Sequence, residues 1–279
     1  MYAHALNWWT ILRIALEERL VYRTDFALGT AMRFLPTITQ VFFWRAVLES
    51  VRSGGGEGNV AGYTFEQMVA YLLLTMLSRA FSSMPGLASG VAMQIRNGEV
   101  KKYLIQPVDM LGFLLLQRVA HKLAYFSVAF IPFGIVFFLC RGFFTDVVFN
   151  IETISAFVAA LLMGFLLGYF LEASIGLIGF WFLEVSSLLF VYMLLSFFLS
   201  GHMFPLDFLP TEPINWQAIV RFSPLQYLAY FPAAVLLGKV QGAELITGLW
   251  VEAAWIGFFI LVSRIMWRMG VKRYSGYGG

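Results

Sequence analysis

Six segments of mainly apolar residues, 26–48, 65–88, 111–139, 154–177, 181–199 and 245–266, follow one another along the chain. Each comes close to the roughly 20 residues that a helix needs to cross a bilayer core. No other feature limits the fold so strongly. Backbone in hydrocarbon must satisfy its own hydrogen bonds, so the segments predict an all-α integral membrane protein with six transmembrane helices. Composition agrees: 60% of the 279 residues are hydrophobic and 13% are charged, against about 45–50% and 25% in soluble domains. The 29 Phe and 8 Trp suit lipid contact. Cys140 stands alone, which rules out an internal disulfide and a cysteine metal site. The first twenty residues carry charges where a cleavable signal needs an apolar run, so the chain is expected to keep its N-terminus.

Basic residues near the span ends assign the sides. Arg13, Arg19 and Arg23, then Arg96, Lys101 and Lys102, then Arg264, Arg268, Lys272 and Arg273 fall on one side. The alternate connections hold only Arg52, Arg141, Arg221 and Lys239. The richer side is expected to be cytoplasmic, with both termini inside a cell inner membrane. The turn between spans four and five has no basic residue and does not vote.

Residues 1–24 read as an amphipathic interfacial helix. Asn7, Thr10, Arg13 and Glu17 recur on one side, and Ala5, Trp8, Trp9, Leu12, Leu16 and Leu20 on the other. GGGEG at 54–58 is a flexible linker. Residues 203–242 carry five of the nine prolines but are too apolar for a solvated loop. Leu225 to Leu237 is too short to span, so the stretch predicts two short helices dipping back into the outer leaflet as a re-entrant hairpin. Pro205 and Pro224 would stand at its entries, with Pro210 between them.

Catalytic signatures are missing. His4, His121 and His202 lack metal-ligand spacing, no GxxxxGK[ST] loop cradles a phosphate, and no GxSxG elbow occurs. The chain is therefore not expected to be an enzyme or to bind a cofactor. Among ionisable residues inside the spans, Arg33, Arg45, Glu172, Glu184 and Glu252 are explained by internal pairing or by snorkelling to the headgroups. Arg79 is the exception. It is the deepest and shares its span with Ser78, Ser82 and Ser83.

The most polar interruption is RNGEVKKYLIQPVDM at 96–110. A solvated loop would account for its charges but not for the Tyr-Leu-Ile run between the lysines and Pro107. IRNGEVKKYLIQPVD at 95–109, GFWFLE at 179–184, LSGHMFPLDFLP at 199–210, SPLQYLAYFPAAVLLGK at 223–239 and the tail YSGYGG at 274–279 complete a pattern. Taken with six spans, an inner amphipathic helix and a Pro-rich hairpin, the chain resembles type 2 ATP-binding-cassette (ABC-2) exporter permeases of the small six-span subgroup. The resemblance covers the whole chain, 1–279, as a single permease domain.

That resemblance implies a dimer with a second permease subunit, identical or similar, each subunit bound by a separate ATPase that carries the ATP and Mg. It implies that 93–107 is the cytoplasmic coupling loop. Arg96, Glu99, Lys101 and Lys102 would be its rim charges, and Val100, Tyr103 and Leu104 its apolar anchor. Arg79, Ser82, Phe197 and Phe198, the last two from SFFLSG at 196–201, are candidates for the translocation path of an amphipathic or lipid-like compound. An ion-coupled secondary transporter is the alternative, disfavoured by few mid-membrane charges and no repeated halves. A membrane-embedded enzyme is disfavoured by the missing constellation.

Overall fold

The computed structural model describes residues 2–21, 23–55, 59–106, 108–145, 147, 149–182 and 184–274, with side chains omitted at 2–7, 23–25 and 27. Pro107, residues 56–58 of the glycine linker, the tail from 275, and the side chains of His4, Ala5, Asn7 and Arg23 lie outside the described residues. The chain is all helical among the described residues, apart from an isolated bridge between Val60 and Tyr63. Its helices are α1 (Tyr2–Leu20), α2 (Arg23–Ser53), α3 (Phe65–Ser82), α4 (Leu87–Arg96), α5 (Lys101–Ile105), α6 (Met110–Leu139), α7 (Ile151–Leu177), α8 (Ser186–Leu199), α9 (Trp216–Phe222), α10 (Tyr230–Leu236) and α11 (Gly242–Arg273).

Side-chain caps start several of these helices. Thr64 accepts from the Gln67 amide at 3.3 Å, Asn150 from Thr153 at 2.6 Å, and Asn215 from Ala218 at 2.9 Å. Each satisfies an amide that the first turn leaves without an intrahelical partner.

Three helices, Met110–Leu139, Ile151–Phe180 and Gly242–Arg273, are long and apolar enough to cross a membrane. The other three expected spans are built differently. Helix α2 has 31 residues, about 46 Å, but Arg33, Arg45 and Glu49 lie within it. Helix α3 stops at Ser82, short of the expected 88, because Ser83 to Gly86 breaks the helix before α4 begins. Helix α8 begins at Ser186, later than the expected 181, and its 14 residues reach only about 21 Å.

The loops sort to two ends. At one, Arg264 pairs with Asp109, Arg96 lies 3.9 Å from Glu184, and Phe180 packs on Trp267 and Tyr274. At the other, Tyr63 donates to Asp207 at 2.8 Å, Arg221 pairs with Asp207, and Lys239 donates to the Gly62 carbonyl at 2.8 Å.

Helix α1 lies on α6, with Ala15 buried and Trp8 against Gly112, while Trp9 is exposed. Adjacent residues on a helix are about 100° apart, so Trp8 packs on α6 while its neighbour Trp9 faces outward.

Helix α7 sits at the centre, packed by α3, α4, α10 and α11. One side of it is made of glycine. A methyl on Gly164 would lie 3.0 Å from the Tyr227 carbonyl oxygen, and one on Gly176 would lie 2.7 Å from that of Ala88. One on Gly168 would collide with the Ser82 carbonyl. Small residues at such a seam let helix backbones approach closely. Helix α11 uses the same device against rings, with Gly248 facing Phe231 and Gly270 facing Phe180.

Gly168→Ala is expected to destabilise the protein by about 1–3 kcal/mol, as overpacking does. Gly134→Ala, which meets open space, is expected to be neutral or slightly stabilising. Thermal unfolding of the two variants in detergent checks the difference.

Candidate functional site

Two places gather the polar residues that sequence reasoning singled out. The first is the elbow between α4 and α6. Helix α4 ends at Asn97, Gly98 turns the chain at φ 75°, and α5 follows. Helix α4 is held on α7 by Gly176 and, just past α7, by Gly179, which lies against Ala92. Val100 is 0% exposed and Tyr103 is 8% exposed, both within a cluster with Ile95, Met110 and Leu114. The Tyr103 hydroxyl donates to Gln94 Oε1 at 3.2 Å. Burial pushes the Tyr103 phenol above its ordinary value, with Glu99 adding to the rise.

This corrects the expected anchor. Val100 and Tyr103 face the chain's own interior, so they fix the elbow and leave no apolar surface for a partner. Leu104 at 45% and Ile105 at 81% exposure point outward instead. Around them Arg96, Glu99, Lys101 and Lys102 are all exposed. Lys102 lies 3.5 Å from Glu99. Hydrogen bonds from the Ser186 side chain and amide hold the Glu184 carboxyl below the usual carboxylate range.

Asp109 closes the elbow. Its carboxylate accepts from the Gly112 amide at 2.7 Å, capping α6, and also pairs with Arg264 of α11. Asp109→Ala is expected to cost about 0.5–2 kcal/mol from the lost cap alone. Asp109→Asn, which keeps the cap oxygen, is expected to cost less. Thermal unfolding of the two variants measures the gap.

The second place is a cleft of about 490 Å³ between α2 and α8. Arg33, Pro36 and Thr37 of α2 form one wall, and Leu189, Tyr192, Met193 and Ser196 of α8 the other. Arg79 of α3 and Glu172 of α7 line it as well, and His202 reaches it from beyond α8. Arg79 donates to Ser196 Oγ at 3.3 Å, and no carboxylate among the described residues comes within 4 Å of its guanidinium. Arg33 stacks its guanidinium 5.2 Å from the Tyr125 ring centroid.

Behind the cleft, the break after α3 is held by cations from α6. Lys122 Nζ donates to the carbonyls of Ala80 and Ser83, at 2.5 and 2.7 Å, and Arg118 donates to that of Pro85 at 2.9 Å. These meet carbonyls that a helix end leaves without intrahelical donors.

Of the residues proposed for a path, Arg79 lines the cleft and Phe197 packs on His202 at its margin. Phe198 is exposed on α8. Ser82 does not face the cleft lining: buried, it donates to the Leu228 carbonyl at 2.7 Å and ties α3 to the Pro-rich segment. The later half of that segment is interior. Tyr227, Leu228, Ala229, Tyr230 and Phe231 are all buried, Pro205 precedes a 3-10 turn at Leu206–Phe208, and Pro224 opens another at Pro224–Leu228. Pro210 is exposed, with its carbonyl accepting from the Trp216 amide at 3.1 Å. Arg33 and Glu172, for which the sequence predicts snorkelling or pairing, line the cleft. Ser196 opens SFFLSG and His202 lies in LSGHMFPLDFLP, but neither is singled out by those stretches, and Tyr192 lies in no motif.

Residues 34–278 match the family described as ABC-2 family transporter protein. The chain belongs to the ABC-2 transporter family. The match takes in the elbow, the cleft apart from Arg33, and nearly all of the helical core. Comparison with curated proteins finds no match. For an ABC-2 transporter protein, three helices of spanning length and an exposed charged elbow fit a membrane transport component. No group of three or more metal-ligating side chains occurs among the described residues.

Proposed function

We propose that this ABC-2 protein is the permease subunit of an ATP-driven exporter in the cell inner membrane, energised by a separate ATPase that docks on the elbow. The observation that carries this reading is the elbow's division of labour. Val100 and Tyr103 lock it to the body, while Leu104 and Ile105 stand exposed within a ring of charges. Exposed apolar side chains with a charged rim are the anatomy of a docking patch. Family membership supports a transport role for the whole chain.

In this reading α2, α3, α6, α7, α8 and α11 are six spans with both termini cytoplasmic. The segment 203–242 is an extracytoplasmic re-entrant hairpin that the surrounding helices bury. A second permease subunit covers the apolar faces of α2 and α8, where Leu35, Phe42 and Phe43 and then Phe190, Leu194 and Leu195 are exposed. The cleft between these helices would then lie beside the subunit boundary, and its cargo is an amphipathic or lipid-like compound. ATP and Mg are held by the partner ATPase.

Leu104→Ala and Ile105→Ala are each expected to weaken co-purification of the ATPase by about tenfold, the effect of about 1–3 kcal/mol lost at a docking hot spot. Lys101→Ala is expected to do less, and its effect to shrink at high salt. Full retention of the ATPase by both apolar variants contradicts docking at the elbow. Sidedness is tested separately, with Cys140 replaced. A cysteine at Glu212 is expected to react with an impermeant thiol reagent from outside, and one at Asn97 to be protected. The opposite pattern contradicts the orientation.

A further inference from the structure

The α2–α8 cleft has a chemistry that its position alone does not explain. Arg79 places a guanidinium in it, and Arg33 of α2 lines it as well. Glu172 is the one carboxylate that lines the cleft, and no ion pair within 4 Å joins it to either arginine. Lys122 and Arg118 add positive charge from behind, each held by carbonyls and not by a carboxylate. The balance of charge is therefore positive in a place where uncompensated charge is costly.

Guanidinium presents five donors in a planar fork. For Arg79 the single side-chain bond at 3.3 Å uses one of them. The hydroxyls of Tyr192 and Ser196 line the same space. Pro36, Met76, Met84, Leu189 and Met193 add apolar wall, while Thr37, Ser83, Ser89 and His202 add polar groups. The helices on either side carry exposed Met32 and Val191. A ligand for this cleft needs an oxyanion to meet the fork and an apolar body to lie along α2 and α8.

We propose that the cleft binds an anionic amphiphile, with its phosphate or carboxylate head held between Arg33 and Arg79 and its hydrocarbon tail along α2 and α8. The proposal narrows the cargo class of the export reading and rests on it for the direction of transport, but binding itself needs neither ATP nor the ATPase. Tyr192 and Ser196 supply neutral hydrogen bonds to the same head. Glu172 of α7 lines the same cleft and disfavours a second negative charge close to that helix, which leaves the head to the arginines. A neutral amphiphile of the same length satisfies the apolar walls and leaves the fork without an acceptor.

The test uses the full chain in phosphatidylcholine nanodiscs and the binding of radiolabelled dodecyl phosphate. Arg33→Gln and Arg79→Gln are each expected to weaken binding by about tenfold or more, since each removes charge-assisted hydrogen bonds. Arg45→Gln, on the same helix but paired with exposed Glu49, is expected to bind as the wild type does. Dodecanol and inorganic phosphate are each expected to fail as competitors at concentrations where dodecanoate succeeds.

Because Arg33 is exposed and ends no helix, its variant keeps the test valid if Arg79→Gln does not fold. Equal binding by the Arg33 and Arg45 variants overturns the proposal. So does displacement by dodecanol as strong as that by dodecanoate, which makes the cleft a plain apolar groove. Displacement by inorganic phosphate alone, at like concentration, makes it a free-anion site and overturns the amphiphile. Failure of ATPase docking at the elbow leaves each of these outcomes readable.

Discussion

At Gly164, Gly168, Gly176 and Gly179 the chain meets other backbone with almost no side chain between. The partners are the Pro-rich segment at Tyr227, the end of α3 at Ser82, and α4 at Ala88 and Ala92. These are the elements that carry the hairpin, the break beside the cleft, and the elbow. Close backbone approach gains van der Waals contact that a bilayer does not compete for, since lipid tails are as apolar as leucine. It also leaves little room for adjustment, because packed interiors transmit displacement instead of absorbing it. The elbow and the cleft therefore share one support. In the docking reading proposed above, a push on the elbow would reach the cleft through α4, α7 and the end of α3.

Charge is arranged around the same break. An interrupted helix exposes carbonyls, and a membrane offers no water to meet them. Lys122 and Arg118 of α6 do so, which fixes α6 to the junction and brings cations to the back of the cleft. The opposite end is held by another polar knot, with Tyr63, Tyr230 and Arg221 converging on Asp207. Both clusters do structural work, and Arg79, with one side-chain hydrogen bond, keeps donors for a ligand in the cleft. Glu252, buried on α11, lies against Gly164 without a hydrogen-bond partner.

Hydropathy made the membrane character and the long apolar helices α6, α7 and α11 legible, because a continuous apolar run has one physical meaning at that length. The Pro-rich segment was legible as non-spanning for the same reason. The break at Ser83–Gly86 was written in Pro85 and Gly86, yet the apolar residues around it hid it inside an expected span. The elbow was found from its composition, but the inward turn of Tyr103 was not. A five-residue helix presents adjacent residues to opposite surroundings, and composition does not say which side faces the body. The cleft was mostly hidden. Arg33, Glu172, Tyr192 and His202 are far apart in sequence and meet only when α2, α7 and α8 are placed together. The glycine seam was visible as GFLLG at 164–168, a spacing that reads as helix packing once its partner is known.

The account holds that energy comes to this chain from outside and enters through the elbow. The direct measurement is ATP hydrolysis in nanodiscs by the chain alone, by its ATPase alone, and by the two together. The account predicts none from the chain alone and a rate for the mixture above that of the ATPase alone. Hydrolysis by the lone chain that survives removal of contaminating ATPases, or a mixture no faster than the ATPase by itself, contradicts it.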